Sequence, residues 1–443
     1  YLVPRPIPEG RVALRPLSDH KTKFGWCLYD WANSAFATVM LAAVLPVYFA
    51  SLVPARGAEL FGSSHPIPAT ALWGYIVSLS MALVAIVAPA LGNLADRRGW
   101  RLRLLIISCL LGSFATCGLF YAGPGQYLLA AALFVLGNIG FAAGNIFYNA
   151  YLPDLASGHE ADRLSARGFA LGYIGGGLML LIVFLMIQQH ALLGLPDKGS
   201  ATRLGFLLTG VWWLGFALPA FVWLKDVPVK TSALHILRTP RDYLKTFADL
   251  RRYRDLSRFL IAFLLYNDGI QTLIAVSAIF AREELGLGTE TILGCFLMIQ
   301  FVAMPGALLF SRLAGRFNTK YAVMASLMLF TMIAVYASVM TTAIEFWMLG
   351  FAVAIVLGGS QALSRSLFSS LVPKQRSAEF FGFYAISSKF ASILGPLTFA
   401  LLIETTGSNR IAILALALFF ISGMVLLVGV NVEKGRIQAE ANQ

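Results

Sequence analysis

Gly92-Asn93-Leu94-Ala95-Asp96-Arg97-Arg98-Gly99-Trp100-Arg101 is a short polar stretch between two long apolar runs. Each flanking run is about twenty residues long, the length that crosses a bilayer rather than the length of a soluble core helix. The stretch therefore reads as a tight connection between two membrane-spanning helices. Gly92 and Gly99 permit a close approach and a turn. Asp96 is placed to cap a helix start, and Arg97, Arg98 and Arg101 are expected to hold the loop at anionic headgroups.

The composition agrees with a membrane setting. Of 443 residues, 58% are hydrophobic and 13% charged, and the mean hydropathy is +0.74. These values lie outside the usage of soluble domains. The 34 Lys and Arg against 22 Asp and Glu would suit nucleic acid only if they lay on a soluble face. Here they sit in loops between apolar segments, so the expected partner is the lipid bilayer and not nucleic acid. The four cysteines all lie within apolar runs and read as buried small side chains rather than a disulfide or metal framework. The first 24 residues carry four prolines and lack the pattern of a cleaved signal peptide.

Apolar runs of about twenty residues predict twelve spans: 26–50, 71–93, 102–122, 127–151, 167–190, 203–224, 257–281, 290–312, 320–341, 344–367, 378–402 and 410–431. The fold class is an all-α integral membrane protein, and an even number of spans puts both termini on one side. One alternating set of connections, with the tails, holds 27 Lys and Arg, and the other set holds 5. That asymmetry places the termini in the cytoplasm; for a bacterial protein the membrane is the inner, or cell, membrane. The predicted organisation is a tail (1–25), a six-helix bundle (26–224), a polar linker (225–256) with a surface-lying helix around Tyr243 to Tyr253, a second bundle (257–431) and a tail (432–443).

An internal repeat supports the division. At an offset of 220 the fourth and tenth spans align Gly140 with Ser360, Gly144 with Ser364, Asn145 with Arg365, and Pro153 with Pro373. The polar stretch has a decayed partner, Ser311-Arg312-Leu313-Ala314-Gly315-Arg316, in which Gly315 stands where the first has Asp96.

Charges kept at helix centres cost roughly 2.5–3.5 kcal/mol each, so they mark candidate sites. Asp268 and Lys389 each fall about eleven residues into their spans, roughly 16 Å deep at the helical rise. They form either a structural pair or a substrate or proton site. Arg365 is either functional or an anchor that snorkels to the nearby surface. Asp30 is shallow, with Arg167 at similar depth as a candidate partner. Asn145, Tyr148, Asn149, Tyr266, Asn267, Gln271 and Gln361 suit either a hydrated cavity or interhelical hydrogen bonding. Gly168, Gly172 and Gly176 recur every four residues, a spacing for close packing, expected at the seam between the halves. No nucleophile and base are set together as an enzyme requires, and no cofactor or metal is expected, because all five histidines lie in loops or at span ends.

Several stretches together resemble the major facilitator superfamily, in its branch of formerly unknown facilitators related to the vacuolar amino-acid effluxer of autophagy. The polar stretch, as G-x-x-x-D-R-x-G-x-R, is similar to that superfamily's loop 2-3 signature. The others are Tyr29-Asp30-Trp31-Ala32-Asn33-Ser34-Ala35-Phe36, Phe147-Tyr148-Asn149-Ala150-Tyr151-Leu152-Pro153-Asp154, Arg167 to Tyr173, Tyr266-Asn267-Asp268-Gly269-Ile270-Gln271, Phe380 to Tyr384 and Lys389 to Ser392. The resemblance implies two six-helix bundles around a central cavity lined by the first, fourth, seventh and tenth spans.

The function expected is secondary active transport by alternating access. The expected cargo is a small zwitterion such as an amino acid, moved outward by a monomer, with protons as the candidate coupling ion. Asp268 and Lys389 would meet the ammonium and carboxylate, with Asp30 a second candidate proton carrier. Efflux of amphipathic compounds or lipids is the alternative transport reading, and a non-transporting membrane sensor or scaffold the alternative outside that class.

Overall fold

The structure is a computed structural model that describes residues 19–54, 56–58, 69–226, 252–390 and 394–441. The proposed linker helix lies mostly outside these residues. The first segment is His20–Ala43 followed, after a 47° bend, by Leu45–Leu52. Next come Ala69–Arg98, Arg101–Gly118, Tyr127–Ala150, His159–Gln188 and Lys198–Trp223. The second set is Arg254–Glu283, Thr289–Phe317, Thr319–Ala337, Ala343–Leu371, an eleventh described over Ser377–Phe390 and Leu394–Thr406, and Asn409–Val428; a short helix, Val432–Ala441, follows. Among the described residues nine helices are long and apolar enough to cross a membrane, ten with the bent first pair. Ala69–Arg98 takes the second place in the predicted order, and Ser377–Phe390 with Leu394–Thr406 the eleventh.

Local sequence explains the ends. Asp197 Oδ1 accepts from Ser200 N at 2.6 Å and Thr342 with Glu345 forms a reciprocal cap, so helix-start N–H groups have partners. The first segment bends where a π-helical run, Ala37–Ala43, meets Pro46 in the first turn of Leu45–Leu52. Proline has no N–H to give, and π-turns loosen the ladder, which together account for the kink.

Within each half, small residues set the closest crossings. A Cβ on Gly140 would stand 2.6 Å from Ser108 O and from Gly112 N, so the third and fourth segments touch backbone to backbone. The Gly168–Gly172–Gly176 stripe needs a correction. Its neighbours are Asp30, Ser34 and Thr38 of the first segment, in the same half, rather than the seam. Only Gly168 also reaches the other half, through Arg365. Packing with the first segment wins because Ser34 and Thr38 are themselves small enough to leave the groove that the glycines fill.

The first and last described segments lie at one end of the molecule. Thr22 Oγ1 donates to Trp223 O at 3.3 Å and Lys23 pairs with Glu160. Beside Glu160, Asp162 accepts from Thr319, and Lys320 donates to Val430 O at 2.8 Å. Among the described residues, the side-chain hydrogen bonds that join the two halves all lie between this termini-bearing end and the helix midpoints.

Candidate functional site

At the termini-bearing end the polar stretch reaches across the seam. Asp96 Oδ2 accepts from Glu379 N at 2.9 Å and Oδ1 from Ala378 N at 3.2 Å. It thus caps a helix start, as expected, but that helix belongs to the other half. Gly92 makes the approach possible, since a Cβ there would collide with Ala378 O, and Gly99 turns the chain at φ +63°. Arg101 corrects a second expectation. It is 5% exposed and donates to Asp96 at 2.8 Å, Asp154 at 2.6 Å and Lys374 O at 2.8 Å instead of reaching headgroups. The buried Asp96 and the half-buried Asp154 hold the guanidinium in place of lipid, because Asp96 would otherwise be a buried charge without a partner. Arg97 and Arg98 are exposed, and Arg98 stacks on Trp100. Burial pushes the Asp96 carboxyl up to about 6, against the opposing pull of Arg101 and the backbone N–H groups of Glu379 and Ala378.

Further in, Arg365 joins both halves. Its Nη1 donates to Asp30 Oδ2 at 3.1 Å and to Asn149 Oδ1 at 3.3 Å, its Nε to Ser165 Oγ at 2.9 Å, and its Nη2 to Ser165 O at 2.8 Å. Tyr148 Oη donates to the same Asp30 oxygen at 2.9 Å. The guanidinium lies over Phe169, Trp26 and Tyr148, with ring centroids at 4.2, 4.8 and 5.5 Å. Arg365 is 3% exposed and Asp30 7%. Arg365 therefore does not snorkel, and it takes the place expected of Arg167, which is exposed. The planar fork finds four acceptors at once, and the aromatic faces replace part of its hydration.

The other candidates spread over several contacts. Asn145 accepts from Asn33 at 2.9 Å, so the repeat-related positions 145 and 365 both meet the first segment. Gln361 accepts from Tyr173 at 3.2 Å across the seam. Tyr266 shares a hydrogen bond with Ser364 at 2.6 Å, Asn267 donates to Ser388 O at 3.5 Å, and Gln271 is half-buried. Asp268 is fully buried, and its Oδ2 accepts from Gly395 N at 2.8 Å. The Lys389 side chain lies outside the described residues, and with it the expected pair to Asp268.

Sequence reasoning passed over Ser165, Trp26, Phe169, Asp154 and Asp162. Asp162 Oδ1 accepts from Ser366 at 2.6 Å and Oδ2 from Thr319 at 2.7 Å, making a second bridge between the halves. An acid in the first helical turn was the one signal available. A serine or phenylalanine in an apolar run gives none.

An all-helical membrane chain whose first and second sets of helices meet through buried charges at one end has the architecture of a major facilitator superfamily transporter. Solved structures share the fold. The transporter FucP, in its outward conformation, superposes with a TM-score of 0.71 at 12% identity, over 94% of this chain and 99% of that one. The human organic anion transporter MFSD10 gives 0.66 at 17%, over 93% and 99%. The chain belongs to the family described as vacuole effluxer Atg22 like, whose model matches residues 18–440. Among its relatives, the MFS-type transporter YxiO of Bacillus subtilis (strain 168) is 34% identical over 418 residues, 93% of this chain and 95% of that one. Autophagy-related protein 22 of Yarrowia lipolytica is 26% identical over 459 residues, 83% of this chain and 76% of that one. The protein is a multi-pass membrane transporter.

Proposed function

We propose that this transporter exports a small zwitterion, an amino acid, across a bacterial cell membrane by alternating access coupled to an ion. The observation that carries the reading is the Asp30–Arg365 pair, 3.1 Å apart, buried, and supplied by opposite halves. A carboxylate and a guanidinium that separate when the halves part are matched to an ammonium and a carboxylate. While the end is closed they satisfy each other, which keeps the cost of an unoccupied site low. Tyr148 and Asn149 hold the two charges in register. The excess of basic residues on the termini side supports cytoplasmic termini. On that orientation the structure is the outward-facing form. Asp268, at the middle of the seventh segment, carries the coupling ion.

The test is exchange of labelled amino acids by purified protein in proteoliposomes, together with thermal stabilisation by the same solutes. The expected result is a subset of amino acids that exchange and stabilise, with both effects lost in Asp30→Asn and in Arg365→Lys. No exchange with any amino acid, or full stabilisation in both variants, would overturn the reading.

A further inference from the structure

The groups that hold the Arg365 guanidinium belong to the other half. Its four acceptors are Asp30, Asn149 and both oxygens of Ser165, and the rings it lies over are Trp26, Tyr148 and Phe169. They come from the first, fourth and fifth segments, and part of their frame is tied together independently of the arginine. Trp26 Nε1 donates to Tyr148 O at 2.8 Å, the two rings stack at 4.4 Å, and Tyr148 Oη donates to Asp30 Oδ2. Gly168 leaves the room for a cation: a Cβ there would stand 2.8 Å from Asp30 Oδ2, 2.9 Å from Arg365 Nη2 and 3.1 Å from Trp26 Cζ3. The first half thus carries a cage made of a carboxylate, neutral oxygens and aromatic faces. In the closed form a side chain of the second half is its guest.

We infer that this cage is a cation subsite of the transport cycle, filled by Arg365 while the termini-bearing end is closed and by a guanidinium of the cargo once the halves part. The inference rests on the function proposed above and names the class of amino acid: one with a guanidinium side chain, as in arginine. The cation that meets Asp30 is then the side chain's rather than the α-ammonium. Nε and Nη2 of Arg365 together engage Ser165, while Nη1 serves Asp30 and Asn149. A planar guanidinium spans both edges and lies flat on an aromatic face, whereas an ammonium has three donors on one nitrogen. A neutral side chain would leave Asp30 without a counter-charge. When the halves part, Arg365 leaves with its own half and is free to take the cargo's carboxylate. One cage holds one cation, so closure returns Arg365 to it and displaces the cargo's guanidinium away from the closing end. Arg365 is in this sense a tethered competitor, whose contacts with the cage in one state and not the other link cargo release to closure.

The test sets charged probes against their neutral isosteres, using the purified full chain. In proteoliposomes the unmodified protein should exchange arginine in preference to citrulline by about tenfold or more, the scale of a lost hydrogen bond to a charged group. Arg365→Ala should lose exchange yet open the cage, so that methylguanidinium, and not methylurea, raises its melting temperature saturably. Adding Phe169→Leu to that variant should weaken methylguanidinium binding about three- to thirtyfold. Citrulline or leucine exchanged as readily as arginine, no response of Arg365→Ala to methylguanidinium, or an undiminished response in the double variant would overturn the inference; if Arg365→Ala does not fold, the comparison of arginine with citrulline decides alone. Exchange of neutral amino acids only would sink the guanidinium subsite and leave the amino-acid reading in place. Exchange of agmatine, which has no carboxylate, but of no amino acid would do the reverse, and exchange of none of these solutes would overturn both.

Discussion

The two loops that close the termini-bearing end occupy equivalent places in the repeat, yet the negative charge comes from the loop in one and from the facing helix in the other, so that both carboxylates belong to the first half. In the first, the loop supplies the acid: Asp96 reaches over to the start of Ser377–Phe390. In the second, where Gly315 stands at the position of Asp96, the loop supplies a hydroxyl. Thr319 donates to Asp162, which sits in the first turn of His159–Gln188. Both arrangements end with a carboxylate at a helix N-terminus, where the macrodipole and free N–H groups favour it. The physical requirement is thus an anion at each helix start, and it can be met from either side of the contact. The two latches differ in what balances that anion. Asp96 has Arg101, which is buried; Asp162 has hydroxyls and the exposed His159 at 3.5 Å.

That difference ranks the expected effects of breaking each latch. Arg101→Ala strands Asp96 and Asp154 without a buried counter-charge and should cost about 3–5 kcal/mol. It should lower the melting temperature most and widen inter-half distances at this end in spin-label measurements, and a loss no larger than that of Arg97→Ala would count against a buried lock. Asp162→Ala removes two hydrogen bonds to a carboxylate, at about 1.5–3 kcal/mol for such bonds. If its melting temperature fell further than that of Arg101→Ala, the order of the two latches would be reversed.

The third expectation concerns pH. Asp96 sits at about 6 in the closed latch and returns to about 3.9 when it faces water in the open one. The closed form therefore binds the proton more tightly. Its contribution to closure is complete below the open-state value and is lost as pH rises through 6. Lowering the pH from neutral to about 5 should shift the same spin-label distances modestly towards the closed form, and Asp96→Asn should abolish the shift. The smallest effect is expected of Gly315→Asp. Nothing lies within 4 Å of a Cβ at that position, so the new acid has no helix start to cap, and stability should stay within about 0.5 kcal/mol. A larger gain would mean that the second loop retains the geometry of the first.

By itself the sequence determined the class and its helical character, and it pointed to charged positions within the apolar segments. Those properties follow from local physics: twenty apolar residues have few places to go except a bilayer, and a charge among them must have a reason to be there. The register of the repeat also singled out positions 145 and 365. Only the tertiary structure decided which charges meet. Asp30 pairs with Arg365, 335 residues away, rather than with Arg167, because the crossing of the halves buries one arginine and leaves the other in the open. The contacts of Arg101 and Ser165 were equally out of reach, since a buried side chain's partner is set by how helices from separate halves cross, and that is written in no single stretch of chain.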